Sequence, residues 1–366
     1  MGNVLRDDLS LFSGRTVLVT GHTGFKGSWL SLWLHRLGAR VIGYALAPQD
    51  DDGMFRRGGI AELLTDVRGD IRDHEMLFGV LSKYQPEIVF HMAARTIVRE
   101  SYREPKETFD VNVGGTVNLL EACRLNPSIR AVVVVTSDKC YENTGRAVPF
   151  RERDRLGGHD PYSASKACAE LASAAYERSF FTMEADSESR LGLATARAGN
   201  VIGGGDWASD RIVPDCMRAL RAGKPVSIRN PGHTRPWQFV LEPLAGYLDL
   251  AARLFENPDR YSGAWNFGPD LEAIVPVRDL AEKIIRAYGS GAVVDAGIAG
   301  QPVESKSLSL NALKAKMKLG WRPALSLDEA VAMTVGWYKC GIEGRDMRDY
   351  SLGQIEDYSR LRRGMK

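Results

Sequence analysis

Thr16-Val17-Leu18-Val19-Thr20-Gly21-His22-Thr23-Gly24-Phe25-Lys26-Gly27 is the stretch that decides the fold. A short apolar run rich in β-branched residues passes directly into three spaced glycines, and an amphipathic segment follows through Leu37. That order predicts a strand, a tight turn and a helix. Glycines at this spacing let the backbone turn sharply and approach a pyrophosphate, while the helix behind them presents N–H groups and the positive end of its dipole. Three spaced glycines alone also occur in turns that bind nothing. Their place after the first strand of an alternating chain is what points to a dinucleotide. Gly21, Thr23, Gly24, Phe25 and Gly27 are the candidate cofactor contacts of this turn.

The same rhythm recurs outward from it. Arg40–Ala45, Glu87–Met92, Ala131–Ser137 and Leu191–Ala198 read as short apolar strands, with Pro161–Phe180 a helix before the last of them. Strands alternating with helices predict an α/β fold, a Rossmann-type doubly wound parallel sheet covered on both faces. After Asn200 the pattern changes to Gly203-Gly204-Gly205 and a loop-rich stretch with Pro214, Pro225, Pro231 and Pro236, where a smaller lobe is expected. Gly263–Phe267 reads as a strand that rejoins the sheet. The expected division is therefore interleaved: 12–202 plus 238–268 as the dinucleotide-binding domain, and 203–237 plus 269–345 as a smaller C-terminal substrate-binding lobe. Gln49–Gly59, with Asp50, Asp51 and Asp52 followed by Arg56 and Arg57, reads as a solvated loop.

A chain of 366 residues has room for two lobes around one cleft. Hydrophobic residues at 44% and charged residues at 26% are those of an ordinary globular protein. A net charge of +2 provides no long-range field for nucleic acid or an anionic membrane, so neither is expected as a partner. The five cysteines (Cys123, Cys140, Cys168, Cys216, Cys340) are scattered and never form Cys-x-x-Cys, so neither a disulfide framework nor a metal site is expected. They read as reduced thiols of a cytoplasmic protein. Met1 to Ser13, with Arg6, Asp7 and Asp8, holds no signal-peptide core, and no later segment approaches about 18 consecutive apolar residues.

Asp160-Pro161-Tyr162-Ser163-Ala164-Ser165-Lys166 opens a helix with a capping acid and a proline at its first position. Tyr162 and Lys166, four apart, share one face. A phenol titrates near ~10 in water, and a neighbouring ammonium together with a cationic nicotinamide would lower it toward a usable base. Most Tyr-x-x-x-Lys pairs are structural. This one follows Val135-Thr136-Ser137-Asp138-Lys139-Cys140-Tyr141, the exit of a strand, where loops of a parallel sheet line the ligand crevice. Ser137 is placed to hydrogen-bond the hydroxyl that Tyr162 deprotonates. The second strand ends at Gly43-Tyr44-Ala45-Leu46 with neither an acid for a ribose nor an arginine for a 2′-phosphate, so that position does not choose between NAD and NADP. Asp70, in Gly69-Asp70-Ile71-Arg72-Asp73, can accept from an adenine amino group or cap the following helix.

The glycine turn, His91-Met92-Ala93-Ala94, Asn112, the set Ser137, Tyr162 and Lys166, and Leu319-Gly320-Trp321-Arg322-Pro323 together resemble the extended short-chain dehydrogenase/reductase family, from about Gly14 to Lys339. Longer runs are similar to the nucleotide-sugar 4,6-dehydratases of that family, above all those acting on CDP-glucose: Thr20–Gly27, Thr136–Tyr141, Arg197–Trp207 and Arg235-Pro236-Trp237-Gln238. The resemblance implies NAD as cofactor, with Asp70, Ile71, Ala93, Ala94, Asn112, Tyr162 and Lys166 joining the glycine turn in holding it. It implies a nucleotide-sugar substrate held by Arg95, Thr96, Asn200, Arg211 and Arg235, and a homodimer or homotetramer. The chemistry implied is oxidation at C4, loss of water across C5 and C6, and return of the hydride to C6. Ser137, Tyr162 and Lys166 would serve the oxidation and Asp138 would protonate the leaving hydroxyl. Lys139 would either take the C5 proton or stabilise the enolate. Relatives acting on dTDP-glucose carry Asp-Glu where this chain has Asp138-Lys139. Arg95-Thr96 departs from the Gln-Pro usual after His-Met-Ala-Ala. A 4-epimerase or decarboxylase of the same superfamily is the alternative, weighed against by Asp138-Lys139. A non-catalytic dinucleotide sensor is another, weighed against by the intact Ser137, Tyr162 and Lys166.

Overall fold

The computed structural model describes residues 9–145, 148–181, 190–296 and 308–365. Arg6, Asp7 and Asp8 of the N-terminal segment lie outside the described residues. The main sheet is built from β1 (Thr16–Thr20), β2 (Arg40–Ala45), β3 (Thr65–Arg68), β4 (Ile88–His91), β5 (Ala131–Val135) and β6 (Gly192–Ala198), joined by a later strand, Gly263–Phe267. Between β6 and that strand lie β7 (Asn200–Ile202), β8 (Val226–Ile228) and β9 (Thr234–Phe239); the late strand is β10, followed by β11 (Ile274–Pro276) and β12 (Val293–Asp295). The spatial order of the main sheet is β10-β6-β5-β4-β1-β2-β3, with every pairing parallel. The order reverses between β1 and β4, which opens a crevice at their C-terminal ends.

Burial on both faces explains the continuous apolar strands. In β1, Val17 and Val19 belong to one core cluster with Trp29, Phe90 and Val133, while Leu18 belongs to the other with Ile42, Val89 and Val132. The period of two divides each strand between the helix layers. On one side lie the helices Phe25–Arg36 and Leu241–Glu256, and on the other His74–Tyr84 and Gly115–Arg124.

Asn200–Ile202, expected at the tail of the dinucleotide domain, pairs in parallel with Trp237–Phe239, and β9 in turn pairs antiparallel with β11. Gly199 permits this departure from β6, because a Cβ there would lie 2.8 Å from the Pro236 ring. β8 and β12 form a separate parallel pair.

Two features went unforeseen. Gln49–Gly59 is not simply a solvated loop: it carries the helical turn Met54–Arg57, with Met54 and Phe55 buried. Met54 N donates to Gly205 O (3.1 Å) and Trp207 Nε1 to Asp52 O (2.7 Å), so the segment braces the second lobe, while Asp51 stays in solvent. The helix Met347–Gly364, capped by Asp346, lies over Phe25–Arg36, where Tyr358 meets Trp33 edge-on at 5.9 Å. The Tyr358 hydroxyl donates to Glu242 (2.7 Å), whose other oxygen accepts from Ala324 N and Leu325 N, both at 2.8 Å. An apolar turn and a cap at the end of a chain do not announce what they will cover.

In the glycine turn the tightest contact is at Gly27, where a Cβ would stand 2.1 Å from Gly21 O. Gly27→Ala is expected to force the turn open, lowering stability by about 1–3 kcal/mol and NADH affinity by about tenfold or more, as 1.4 kcal/mol of lost contact would do. Thermal melting and a fluorescence titration check it; an alanine variant that binds NADH normally would show that the turn does not close this tightly.

Candidate active site

The first turn is pressed against the exit of β4. Gly21 has φ +74°, its N–H donates to Tyr44 O (2.9 Å), and a Cβ on it would lie 2.7 Å from Ala93 N. Thr20 Oγ1 accepts from Met92 N (3.1 Å) and Ala93 N (3.2 Å) and bonds His91 Nδ1 (2.8 Å), and His91 Nε2 reaches Thr116 Oγ1 (3.1 Å). Burial, aided by Lys166, pushes His91 down to about 3, so the ring is a neutral hub that steers Met92-Ala93-Ala94.

A cavity of about 810 Å³ runs along these strand exits and under the second lobe. Gly21, Thr23, Gly24, Phe25, Gly27, Asp70, Ile71, Ala93 and Ala94 line it, with the first turn of the helix Phe25–Arg36 opening onto it. A glycine cradle that any Cβ would fill, set at a helix N-terminus, fits a dinucleotide pyrophosphate. Thr23 Oγ1 donates to Leu46 O (3.1 Å). Asp70 does not cap the next helix; Asp73 does, accepting from Met76 N (2.9 Å). Asp70 faces the cavity with Arg72 on its carboxylate (2.6 Å), which holds its pKa below the usual range. Asn112 does not line the cavity. Its amide accepts from Arg95 N (2.8 Å) and donates to Arg95 O (3.1 Å) and Ser165 Oγ (2.9 Å), so it pins the turn after β4 instead of touching the cavity.

Tyr162 and Lys166 project from the helix Pro161–Tyr176, whose cap Asp160 accepts from Ser163 N (2.9 Å). Lys166 Nζ donates to Val135 O (3.3 Å), and burial brings it down to about 8. The Tyr162 phenol and the Ser137 hydroxyl line the same cavity. Burial pushes the phenol up to about 12, outweighing the downward pull of Ser137 and Arg211. Ser137 closes the turn after β5, accepting from Lys139 N (3.2 Å) and donating to Asp138 Oδ1 (3.1 Å). Asp138 is only 3% exposed, and burial raises its pKa despite the pull of Lys139, Arg235 and Lys26. Its Oδ2 has no hydrogen-bond partner among the described residues. Lys139 is half-buried on the cavity wall.

Beneath this turn lies a buried network invisible in the sequence. Glu170, one helical turn beyond Lys166, accepts from Thr136 Oγ1, from Thr195 Oγ1 (2.7 Å) and from Arg197 Nη2 (2.6 Å). Arg197 also donates to Tyr141 OH (2.7 Å) and Glu152 O (3.0 Å). The Tyr-Lys helix is thereby bolted to the ends of β5 and β6.

Of the residues expected at the substrate end, all five line the cavity. Arg211 is not a surface residue: it spans the cleft, pairing with Asp206 Oδ2 (2.9 Å) and donating to Thr96 Oγ1 (2.9 Å). Arg95 rests on Glu107 (2.9 Å) and Glu100 (3.6 Å). Asn200 opens β7, and Arg235 is buried on β9, donating to Thr234 O (2.9 Å). Three cations were missed. Arg99 and Arg229 both face Asp210 (3.7 and 2.5 Å). Lys26, brought down to about 8 by burial and by Arg211 and Lys166, sits 5.8 Å above the Tyr247 ring in electrostatic reach of Asp138. Its one sequence signal was a lysine inside the glycine turn.

A family profile described as GDP-mannose 4,6 dehydratase matches residues 18–189. The chain is 46% identical over 351 residues to CDP-glucose 4,6-dehydratase of Salmonella typhimurium, covering 96% of this chain and 98% of the relative. A solved UDP-glucose 4-epimerase of Thermus thermophilus in complex with NAD superposes with TM-score 0.75 at 25% identity, over 88% of this chain and 99% of that one. The dTDP-glucose 4,6-dehydratase of Streptomyces venezuelae shares the fold with TM-score 0.75 at 23% identity, over 90% and 99%.

Two outcomes follow from the site's charges. Arg197→Met leaves Glu170 buried without its cation and is expected to lower stability by about 3–5 kcal/mol, with Glu170→Gln/Arg197→Met recovering part of that in urea unfolding. Additive losses would show that the pair is not coupled. Lys26→Met removes a cation that holds the Asp138 proton less tightly, so any kinetic step needing protonated Asp138 should persist to higher pH; an unmoved alkaline limb would place Lys26 out of its reach.

Proposed function

The chain belongs to the extended short-chain dehydrogenase/reductase family, and on that footing we propose that it is an NAD-dependent dehydratase converting CDP-D-glucose to CDP-4-keto-6-deoxy-D-glucose. The observation that carries this reading is Asp138: a buried acid, raised in pKa, with one unpartnered oxygen, bonded to Ser137 on the cavity wall that also holds Tyr162. An oxidation alone needs no such acid; an elimination does, because hydroxide is too poor a leaving group to depart unprotonated. The relative at 46% identity acts on CDP-glucose by name, and Asp138-Lys139 accords with that nucleotide preference.

In the sequence of steps, Tyr162 takes the proton from the C4 hydroxyl while Ser137 orients that oxygen. Bound NAD supplies the hydride acceptor and, when oxidised, a positive charge that favours the Tyr162 phenolate. The C4 ketone acidifies the C5 hydrogen, and Lys139 on the cavity wall is the group assigned to it, as base or as a cation beside the enolate. Asp138 gives its proton to the departing C6 hydroxyl. The bound cofactor would return the hydride to C6, and the group that took the C5 proton gives it back to C5. Gly21, Thr23, Gly24, Phe25, Gly27, Asp70, Ile71, Ala93 and Ala94 are proposed to hold the cofactor, with Asn112 acting through the Arg95 backbone. Arg235 and Arg211 are proposed to meet the diphosphate with guanidinium forks, and Asn200 and Thr96 the sugar nucleotide.

We further infer a homodimer or homotetramer. Leu171 on the Tyr-Lys helix, 59% exposed, and Tyr102 and Phe109 on the two short helices packed against it leave an apolar face uncovered. Among the described residues no helix is long and apolar enough to cross a membrane, and all five cysteines are free, which supports a cytoplasmic setting. The substrate lobe is assigned to 203–237 plus 269–345, extended by β7.

Incubation with CDP-, dTDP-, UDP- and GDP-glucose is expected to yield keto-deoxy product fastest from the CDP sugar; a preference for another nucleotide would overturn the substrate assignment. Asp138→Asn is expected to retain C4 oxidation and accumulate NADH while elimination falls by about 10²–10⁴. Normal elimination in that variant would remove Asp138 from the mechanism.

A further inference from the structure

Two guanidiniums carried by different lobes converge on one carboxylate oxygen. Arg99 stands on the short helix Val98–Arg103, beyond the exit of β4, and Arg229 directly follows β8. Arg229 Nη1 donates to Asp210 Oδ1 at 2.5 Å, and Arg99 Nη1 lies 3.7 Å from the same oxygen. All three residues line the cavity, as Arg211 and Arg235 do. Arg211 is already answered by Asp206, 2.9 Å away. Two arginines that share a single carboxylate keep a positive charge in excess at this end of the cleft.

Asp210 belongs to the segment that joins β7 to the helix Ile212–Arg221, and it is not part of a rigid element. Its φ of +61° is left-handed, a conformation that a residue with a Cβ adopts at a cost. The segment before it is anchored, since Tyr338 OH donates to Asp206 O (2.5 Å) and Trp207 Nε1 to Asp52 O (2.7 Å). Rotation at Asp210 therefore moves its carboxylate away from both arginines without disturbing either anchor.

A phosphate suits paired guanidiniums better than a carboxylate does, because it offers more oxygens at the spacing of their forks and can be met from several sides. We propose that Arg99 and Arg229 form a second guanidinium pair for the diphosphate of the substrate, and that Asp210 is an internal competitor which the arriving phosphates displace from both. The proposal rests on the nucleotide-sugar reading above and adds two cations to Arg211 and Arg235. Displacing Asp210 uses part of the binding energy. A nucleoside without phosphates cannot take over the arginines, so the carboxylate acts as a filter that favours the diphosphate over the bare nucleoside.

Binding of CDP, and of cytidine as the probe without phosphates, would be measured by calorimetry on NAD-loaded wild type, Arg99→Gln, Arg229→Gln, Asp210→Asn and Asp215→Asn proteins, each checked by thermal melting. Each glutamine variant is expected to weaken CDP by about tenfold, the equivalent of one charge-assisted hydrogen bond, and to leave cytidine unchanged. Asp210→Asn is expected to tighten CDP by about three- to tenfold, because a larger fraction of the protein is ready for the ligand, again with cytidine unchanged. Asp215 lines the same cavity and carries the same charge but pairs with Arg218 (2.6 Å), so Asp215→Asn should leave CDP near its wild-type affinity. An equal gain from Asp215→Asn, or no gain from Asp210→Asn, overturns the displacement. Arginine variants that bind CDP as the wild type does, or that lose CDP and cytidine alike, overturn the pair. The substrate reading is judged separately. A wild type that binds UDP, dTDP or GDP more tightly than CDP removes the CDP assignment, and the same variants are then compared with the preferred nucleotide; one that binds no nucleoside diphosphate overturns both.

Discussion

A buried carboxylate, Glu170, sets where the chemistry takes place. It accepts hydrogen bonds from Thr136 at the exit of β5 and from Thr195 and Arg197 on β6, and it stands one turn beyond Lys166. A charge taken this far from water survives only with such a full set of donors. The geometry that satisfies it also leaves the Tyr-Lys helix no freedom to slide along the sheet. Tyr162, Ser137 and Asp138 then share one cavity wall, with Ser137 bonded to Asp138. On the opposite wall the cradle is fixed by contact alone, since Gly21 and Gly27 leave no room for a methyl group.

Burial is the common cause of the unusual acidities around this point. It raises the acids Tyr162 and Asp138 and lowers the bases Lys166, Lys26 and His91, so each moves toward its neutral form. A protein that shields these groups makes their protonation respond to the charges that arrive with ligands. For Asp138 the outcome suits an acid catalyst that must hold its proton until a hydroxyl departs. For Tyr162 the protein alone is insufficient, and the charge of an oxidised nicotinamide is what favours its ionised form.

The fold could be read from the chain because its determinants are local. Val17-Leu18-Val19 before Gly21, and the capped start at Asp160-Pro161, carry their meaning within a few residues, and the parallel order follows from alternation. Ser137, Tyr162 and Lys166 stood out for the same reason, each at a strand exit or helix start, Asp138 through the family resemblance, and the four line one cavity. Glu170 and Arg197 were not, because an ordinary helix glutamate and a strand arginine 27 positions away acquire significance only when the helix lands on the sheet. Lys26 hid inside a glycine motif whose backbone drew attention from its side chain. The aspartates of Gln49–Gly59 masked Met54 and Phe55, the residues that anchor the segment. The upward shift of Tyr162 needed the burial of its surroundings, which no spacing reveals.

The central claim is that buried Asp138, its pKa raised, keeps a proton for the departing hydroxyl. Infrared difference spectroscopy of the NAD-loaded enzyme against Asp138→Asn tests this directly. The account predicts a carboxylic-acid C=O band present at neutral pH in the wild type and absent from the variant. Ionised-carboxylate bands alone at that position would contradict it.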